Sequence, residues 1–258
     1  STGPLRGATA RDATSPRRTN PTGQEAIGNR MLRLLHTADV HLGARHADLG
    51  EAATAQRERQ FAAFRAAVDL AIEEKVDLVI VAGDLFDSNT QPKRSVDRVA
   101  AELSRLGTAK IRAVVIPGTH DCYDRSSIYR AYDLKAMSGS TPDDDMVTIV
   151  TPDTPTVHIP AVDAMIHAVV FSTKRAPHSP LRDLASVRTP DATWRLGLLH
   201  AAIAIPGRTD HDEVVITTEE LAAVEAARLA APAEAERGGL PGLGAGRRDV
   251  SEAGALVR

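Results

Sequence analysis

Apolar residues along the first half of the chain follow two alternating patterns. Short apolar runs occupy 32–35, 78–82 and 111–116, each too short for a helix and each stopped by Gly, Pro or a polar residue. Between these runs, apolar residues recur three or four positions apart, as on one helix face: Phe61, Phe64, Val68 and Ile72, then Val96, Val99, Leu103 and Leu106. Buried strands separated by helices are typical of a sheet covered on both faces, so the pattern predicts an α/β fold.

The second half of the chain predicts a second sheet. Strands are expected at 147–150, 165–171 and 194–199, with proline-rich turns at 152–160 and 176–190. These strands follow one another more closely than those before residue 120, which favours a second sheet packed on the first. A helix is expected to begin after Thr217, because Thr217 and Glu220 have the spacing of a capping box.

The two ends of the chain differ from its middle. Residues 1–30 are rich in Pro, Ser, Thr and Gly, and their net charge of +3 leaves −6 for the remainder of a chain whose total is −3. Such a segment buries too little surface to offset the entropy of ordering, so it is predicted to be a disordered leader. After about residue 230 the sequence turns to Ala, Gly, Pro and Arg, so 231–258 is predicted to be a poorly structured tail. A folded domain is expected over 31–230.

Composition excludes several classes of protein. The 258 residues, 43% of them hydrophobic, are enough for one large domain. No stretch of about 18 apolar residues is present, so no membrane span is expected. The single cysteine, Cys122, excludes an intramolecular disulfide and fits a reducing compartment, so a cytoplasmic location is expected. The pI of about 6.3 and the lack of a basic or aromatic row give no sign of a nucleic-acid surface.

Acidic and imidazole side chains gather at the ends of four predicted strands. In chain order they are Asp39 and His41, then Asp84 and Asp87, then His120 and Asp121, and finally His200. Ligands of open α/β sheets bind beyond the carboxyl ends of the strands, so these side chains are expected to meet at one site.

Two carboxylates at such a site point to metal binding. Asp39 and Asp84 would repel each other in a partly desolvated site, and a divalent cation removes that repulsion. Mixed Asp and His ligation suits manganese, iron or zinc better than calcium. Two metals that share one carboxylate would clamp a phosphate and lower the pKa of a bound water toward neutrality.

Three segments resemble the first three motifs of calcineurin-like metallophosphoesterases. They are Asp39-Val40-His41, Gly83-Asp84-Leu85-Phe86-Asp87 and Gly118-Thr119-His120-Asp121. The longer stretches 34–43 (LLHTADVHLG) and 81–87 (VAGDLFD) are similar to the SbcD-type DNA-repair exonuclease branch in particular. The resemblance covers about residues 31–220. It implies a metallophosphoesterase domain over 31–230, built as a two-sheet sandwich flanked by helices and incomplete at the C-terminus.

The resemblance also implies a set of metal ligands. Asp39 and His41 would hold one metal ion, His200 would hold a second, and Asp84 would bridge both. Two divalent ions are therefore expected, with manganese as the expected metal.

Roles for the neighbouring residues follow from the same resemblance. His120 would face the scissile phosphate, stabilise its charge and protonate the leaving oxygen, and Asp121 would orient His120. Asp87 and His36 would support these groups from outside.

The chain departs from the family pattern in two places. Thr119 stands where the family usually has Asn, and a neutral hydroxyl is a poorer metal ligand than an amide carbonyl. The Gly-His-x-His motif that supplies one imidazole to each metal is missing, since no histidine follows His211. Both departures weaken the expected second metal site. The abrupt change of composition near residue 225 is expected of a frameshifted or spliced-in tail, and the alternative is a natural paralogue that lost the last motif.

Several functions remain open on the sequence. The leading expectation is a metal-dependent DNA exonuclease or phosphodiesterase of DNA repair, for which the resemblance implies DNA as substrate and an SbcC-type ATPase as partner. A phosphomonoesterase or cyclic-nucleotide phosphodiesterase of the same fold is an alternative. A scaffold with an incomplete and inactive site is the other.

Overall fold

The first sheet is parallel and aligns the carboxyl ends of its strands along one edge. We describe it from a computed structural model of the chain, over residues 31–176, 178–187, 190–205, 214–230 and 255–256. Its strands lie in chain order: β1 (Leu34–Thr37), β2 (Leu78–Ala82), β3 (Arg112–Ile116) and β4 (Val147–Ile149). All five residues of β2 are buried, as expected for an inner strand covered on both faces.

The second sheet is mixed and packs on the first. It contains β5 (Thr156–Ile159), β6 (Ala164–Ala168) and β7 (Trp194–Leu198); β5 is antiparallel to β6, and β6 is parallel to β7. A separate pair of short parallel strands follows, β8 (Ala202–Ile203) and β9 (Val215–Ile216). One buried cluster joins the facing sides of the two large sheets: Ile80, Val114 and Ile116 from the first, Ile166, Leu196 and Leu198 from the second.

Helices cover the outer faces of this sandwich. The first pair, α1 (Ala53–Glu73) and α2 (Lys93–Thr108), packs on the parallel sheet through the predicted apolar stripes, which share a buried cluster with residues of β2 and β3. Two single-turn helices follow, α3 (Ile128–Ala131) and α4 (Leu134–Met137). On the second sheet, α5 (Pro180–Ser186) brings Leu184 against Gly197 of β7, and α6 (Thr218–Ala230) shares a buried cluster with α5. The predicted two-sheet sandwich flanked by helices is confirmed.

Most predicted elements are present. Two elements, β5 and α5, were not predicted, and both lie in segments that were expected to be proline-rich turns. The expected turn at 152–160 contains β5, because Pro155 and Pro160 lie just outside the strand, where they remove no ladder hydrogen bond. The expected turn at 176–190 contains α5, which begins at Pro180, and the first helical position tolerates a missing N–H. The capping box is confirmed: Glu220 N donates to Thr217 Oγ1, and Thr217 N donates to Glu220 Oε2.

Predictions for the two ends of the chain fall largely outside the described residues. The predicted disordered leader, 1–30, lies wholly outside them, and so does most of the predicted tail, 231–258. Within that tail, β10 (Ala255–Leu256) pairs antiparallel with β7, which gives the second sheet the order β10-β7-β6-β5. Among the described helices, none combines the length and apolar character needed to cross a membrane.

Candidate metal centre

The loops that follow β1 and β2 stay paired beyond the ends of the strands. Asp39 N donates a hydrogen bond to Gly83 O at 3.3 Å, and His41 N donates to Asp84 O at 2.9 Å. The parallel ladder thus continues into the loops and places Asp39 and His41 beside Asp84.

Three of the predicted ligands have left-handed backbone conformations. The φ angle is 52° at Asp39, 48° at His41 and 52° at Asp84. Non-glycine residues held in this region cost on the order of 1–3 kcal/mol each, and such strain clusters at functional sites. Such backbone strain is expected where a loop is fixed in one conformation so that its side chains reach a functional site.

His200 reaches the same point from the second sheet. It follows β7, and its Nδ1 lies 2.9 Å from Ala82 O at the end of β2. A carbonyl oxygen can only accept, so Nδ1 carries a hydrogen and Nε2 is the nitrogen turned toward the carboxylates. Gly83 makes room for this ring: its φ is +94°, and a Cβ there would overlap the imidazole of His200.

The structure brings all four predicted metal ligands together. His200 Nε2 lies 3.2 Å from Asp84 Oδ2 and 3.8 Å from Asp39 Oδ1. His41 Nε2 lies 3.7 Å from Asp84 Oδ2 and 3.8 Å from Asp39 Oδ1. The side chain of Asp84 is 3% exposed and that of Asp39 is 55% exposed, so the cluster is closed at Asp84 and open to solvent at Asp39.

The titration of these groups reflects their mutual attraction. Burial lowers the pKa of His200, but the hydrogen bond and charge of Asp84, with the Ala82 carbonyl and Asp39, outweigh it and raise that pKa to about 9. The nearby carboxylate of Asp39 raises the pKa of His41 against the effect of burial, with help from the charge of Asp84. Burial raises the pKa of Asp84, but His200 and the backbone amide of His120 outweigh it, and the net shift is downward. Without metal, protonated imidazoles therefore offset the two carboxylates.

The donor set fits a divalent transition metal. The Nε2 atoms of His41 and His200 each lie 3.2–3.8 Å from oxygens of Asp39 and Asp84, and ligands about 2.0–2.2 Å from a cation lie roughly 3 Å apart, close to these separations. The Ala82 carbonyl fixes the tautomer of His200 by accepting from its Nδ1, and a backbone carbonyl commonly fixes metal-bound histidines in the same way.

The third loop closes over Asp84. His120 N donates to Asp84 Oδ1 at 2.8 Å, and the Thr119 hydroxyl lies 3.5 Å from Asp84 Oδ2. A Cβ at Gly118 would overlap both the amide nitrogen and Oδ1 of Asp84, so only glycine permits this approach.

His120 lies at the exposed edge of the cluster. Its Nδ1 donates to the carbonyl of Asp87 at 3.1 Å, and its ring packs edge-on against His41 with 4.7 Å between ring centroids. With Nδ1 engaged, Nε2 is the nitrogen that a substrate can reach. The side-chain donors of His41, Asp87 and His120 lie within 4.8 Å of one another.

Asp121 has different partners from the predicted one. It is fully buried; Oδ1 accepts from Gly118 N at 2.7 Å, and Oδ2 accepts from Phe86 N at 3.1 Å and from the Tyr129 hydroxyl at 2.7 Å. The predicted direct contact with the His120 ring is absent among these hydrogen bonds, because the carboxylate is directed inward and the ring is held by the Asp87 carbonyl; Asp121 reaches the loop of His120 through the amide of Gly118 instead. Burial raises the pKa of Asp121 against the lowering effect of these three donors.

Of the two residues predicted to support the site from outside, Asp87 lies beside a predicted ligand. Asp87 Oδ1 lies 3.6 Å from His41 Nδ1, on the side of the ring opposite the metal-facing Nε2. A carboxylate in that position orients a metal-bound histidine. His36 lies in β1 and pairs in register with Ile80.

An arginine-lined groove begins at the edge of the cluster. Its volume is about 830 Å³, and its lining includes Asp87, whose carboxylate lies 3.6 Å from His41 Nδ1. Its lining includes four arginines from the loop after β1 and from helices α1 and α2: Arg45, Arg57, Arg94 and Arg98. Glu58 offsets one of these charges through two 2.9 Å hydrogen bonds from Arg98. Asp87 also lines the groove, so four arginines and two carboxylates border it, a local excess of positive charge that the sequence does not show.

Comparison with known proteins settles the family. A family model described as calcineurin-like phosphoesterase matches residues 32–200. The chain belongs to this family. The phosphoesterase fold and the sequence resemblance are both confirmed by this match, and the structure contains a candidate site for divalent metal.

Relatives of this phosphoesterase include DNA-repair proteins. The DNA double-strand break repair protein Mre11 of Aeropyrum pernix is 38% identical over 91 residues, which are 35% of this chain and 21% of the relative. Mre11 of Saccharolobus solfataricus is 29% identical over 184 residues, 65% of this chain and 45% of the relative. The uncharacterized metallophosphoesterase YhaO of Bacillus subtilis is 35% identical over 96 residues, 35% of this chain and 23% of the relative. The chain thus spans less than half the length of these relatives.

The solved structures that match the chain are remote in sequence. The TT1561 protein of Thermus thermophilus is 14% identical, covers 77% of this chain and 79% of its own, and has a TM-score of 0.42. A dimetal phosphatase from Danio rerio is 17% identical, covers 54% of this chain and 44% of its own, and has a TM-score of 0.31.

Sequence reasoning missed two parts of the phosphoesterase site. Tyr129 lies outside every motif, and only the fold shows that its hydroxyl meets Asp121. The four groove arginines are scattered between residues 45 and 98, and the net negative charge of the chain gives no indication that they lie together. Neither has a local sequence signal, because each depends on how α1, α2 and α3 pack.

Proposed function

We propose that this phosphoesterase is a metal-dependent phosphodiesterase that acts on DNA, with exonuclease activity in DNA repair. The observation that carries the proposal is the convergence of Asp39, His41, Asp84 and His200, together with membership of the family.

These four residues are the proposed metal ligands, with Asp84 between the two sites. When bound, divalent cations offset the negative charge of a phosphate and act as Lewis acids toward it. Manganese suits the mixed carboxylate and imidazole donors, and two ions are proposed. The second ion is proposed to bind more weakly, because Thr119 offers only a hydroxyl near Asp84.

His120 is the proposed catalytic acid. The Asp87 carbonyl holds Nδ1 and fixes the ring, which leaves Nε2 at the exposed edge of the cluster to contact the phosphate. In the protonated form, Nε2 can give its proton to the departing sugar oxygen as the ester bond breaks. The backbone amide of His120, bound to Asp84, keeps this ring beside the proposed metal ligands.

Two observations favour a polynucleotide over a small phosphomonoester. The arginine-lined groove runs from the cluster along α1 and α2, and guanidinium groups there are placed to bind phosphates next to the scissile one. The Mre11 relatives are named as DNA double-strand break repair proteins. A monoester or cyclic nucleotide would have no flanking phosphates for the groove to bind.

The proposal extends to a partner and a compartment. An SbcC-type ATPase is the proposed partner, in line with the SbcD-type motifs at 34–43 and 81–87. The cytoplasm is the proposed compartment, in line with a single cysteine and no expected disulfide.

The test is a side-by-side assay of linear DNA, a chromogenic phosphodiester and a chromogenic phosphomonoester, with Mn²⁺ and with chelator. The proposal expects Mn²⁺-dependent release of nucleotides from DNA ends and hydrolysis of the diester. Hydrolysis of the monoester alone would favour the monoesterase alternative, and no hydrolysis of any substrate would favour a scaffold.

A further inference from the structure

Among the described hydrogen bonds, Tyr129 is joined to the candidate site through Asp121. It lies in the single-turn helix α3, and its hydroxyl donates to Asp121 Oδ2 at 2.7 Å. Its ring packs edge-on against Phe86, with 6.1 Å between centroids. Tyr129 belongs to none of the three motifs and touches none of the proposed metal ligands in the contacts above.

Asp121 joins the two loops that carry the chemistry. One oxygen accepts from the amide of Phe86, two residues after Asp84 and directly before Asp87. The other accepts from the amide of Gly118, which begins the loop of His120. Because the carboxylate is fully buried, these hydrogen bonds face no competition from water and fix the spacing of the two loops.

A second link runs alongside the first. Asn89 Nδ2 donates to Cys122 O at 2.9 Å, and Asn89 Oδ1 accepts from Ile128 N at 3.0 Å. The segment after β2 is therefore tied to α3 at two points, through Asn89 and through the Tyr129–Asp121 pair. Both ties also reach the loop that begins at Gly118: Asn89 contacts it at Cys122, and the Tyr129–Asp121 pair contacts it at the amide of Gly118 itself.

We propose that Tyr129 is a positioning residue, whose hydroxyl holds Asp121 on the amides of Phe86 and Gly118 and so sets the positions of Asp84 and His120. The inference rests on the proposed function for its effect on activity, but its structural part does not need a metal. Without the hydroxyl, Oδ2 loses its shortest hydrogen bond, and the carboxylate is free to turn away from one of the two amides. Residues that hold metal ligands in place are typically worth 10- to 100-fold in metal affinity or activity.

The experiment compares Tyr129→Phe with Tyr132→Phe, which removes a hydroxyl from a tyrosine packed on the same core cluster. Hydrogen exchange of the metal-free proteins is measured first. Tyr129→Phe is expected to speed exchange of the amides of Phe86 and Gly118 by about 2- to 13-fold, the factor for loss of one ordinary hydrogen bond, without speeding exchange in β2 and β3. Tyr132→Phe is expected to leave these amides unchanged.

Mn²⁺ titration and diester kinetics follow with the same proteins. Tyr129→Phe is expected to weaken Mn²⁺ binding or lower kcat by about 10- to 100-fold, with less change in KM. A purely structural role would lower the melting temperature and leave Mn²⁺ affinity and kcat as in the wild type, and that result would overturn the proposal. Unchanged exchange at Phe86 and Gly118 would overturn it as well. Failure of the wild-type protein to bind Mn²⁺ or cleave the diester would instead count against the proposed function, and the exchange data would still decide the role of Tyr129.

Discussion

His200 Nε2 lies 3.2 Å from Asp84 Oδ2, although the two residues belong to different sheets. Asp84 follows a strand of the parallel sheet, and His200 follows a strand of the mixed sheet. Their contact therefore forms only when the two sheets pack in one particular relative position. The hydrophobic core between the sheets therefore positions the candidate metal centre.

Replacing His120 should lower catalysis more than metal binding. His120→Asn removes the proposed acid, so kcat for DNA should fall by about 100-fold or more, as for loss of a general acid. The backbone amide that binds Asp84 remains, so Mn²⁺ affinity should change much less. Steady-state kinetics and calorimetric titration measure the two effects. His178→Asn is the matched control, because its imidazole pairs with Asp183 outside the cluster; an equal loss in both variants would contradict the assignment.

Metal binding should release protons. His200 has a pKa of about 9, so it is largely protonated at neutral pH and must lose a proton to bind a cation, and the raised pKa of His41 favours proton release there as well. The apparent Kd for Mn²⁺ should fall by about tenfold per pH unit for each proton displaced between pH 7 and 8. Calorimetry in two buffers of different ionisation enthalpy counts the protons. A Kd independent of pH would contradict these pKa values.

The same pKa values give the opposite trend for stability without metal. The folded-state pKa of His200 is raised, so its ion pair with Asp84 adds stability that is fully present below about pH 6.5 and is lost as the pH rises through about 9. Chelator-treated protein should therefore melt at a lower temperature at pH 9 than at pH 6.5. A melting temperature that rises over this interval would be the contrary result.

Gly118 should tolerate no side chain. A Cβ there would overlap the amide nitrogen and Oδ1 of Asp84, so Gly118→Ala must displace one of the loops and should cost about 1–3 kcal/mol in the free energy of unfolding. Mn²⁺ binding should weaken with it. Gly107→Ala is the control, because its Cβ would meet Met146 at 3.5 Å, an ordinary contact, and alanine favours the helix. Chemical denaturation that shows equal stability for the two variants would argue against the close approach.

The groove arginines should matter more for DNA than for a small substrate. Arg94→Ala removes one cationic group from the groove, so DNA binding should weaken and the slope of log K against log salt should decrease by about 1. Hydrolysis of a chromogenic diester, which has no flanking phosphates, should fall by less. Arg195→Ala removes an exposed arginine of β7 and should not change the salt slope. Equal salt slopes for wild type and Arg94→Ala would contradict the proposal that the groove binds DNA phosphates.

The sequence predicts the centre of the site better than its surroundings. Asp39, Asp84 and His200 follow strands whose apolar runs are unmistakable, and the carboxyl ends of neighbouring strands meet at one edge, so their convergence is predictable. The left-handed backbone of Asp39 and Asp84 is not predictable, because aspartate is also compatible with ordinary turns.

Features that depend on helix packing are beyond sequence reasoning. Tyr129 lies in a short segment without a motif, and its contact with Asp121 exists only because α3 packs beside the loop after β2. Asp121 itself was expected to orient His120, but the backbone turns its carboxylate to the interior. The arginines of the groove come from three elements, so no window of the sequence shows them together.

The most direct measurement of the central claim is a calorimetric Mn²⁺ titration of metal-free wild type, Asp84→Asn and Asp163→Asn. Asp163 is a matched control: it also has a left-handed backbone and a histidine partner, His158, but it lies in the turn between β5 and β6. The wild type and Asp163→Asn should bind at least one equivalent of Mn²⁺ with equal affinity, and Asp84→Asn should bind at least about 100-fold more weakly. Binding of Mn²⁺ to Asp84→Asn as tightly as to the wild type, or no binding by the wild type, would contradict the metal centre.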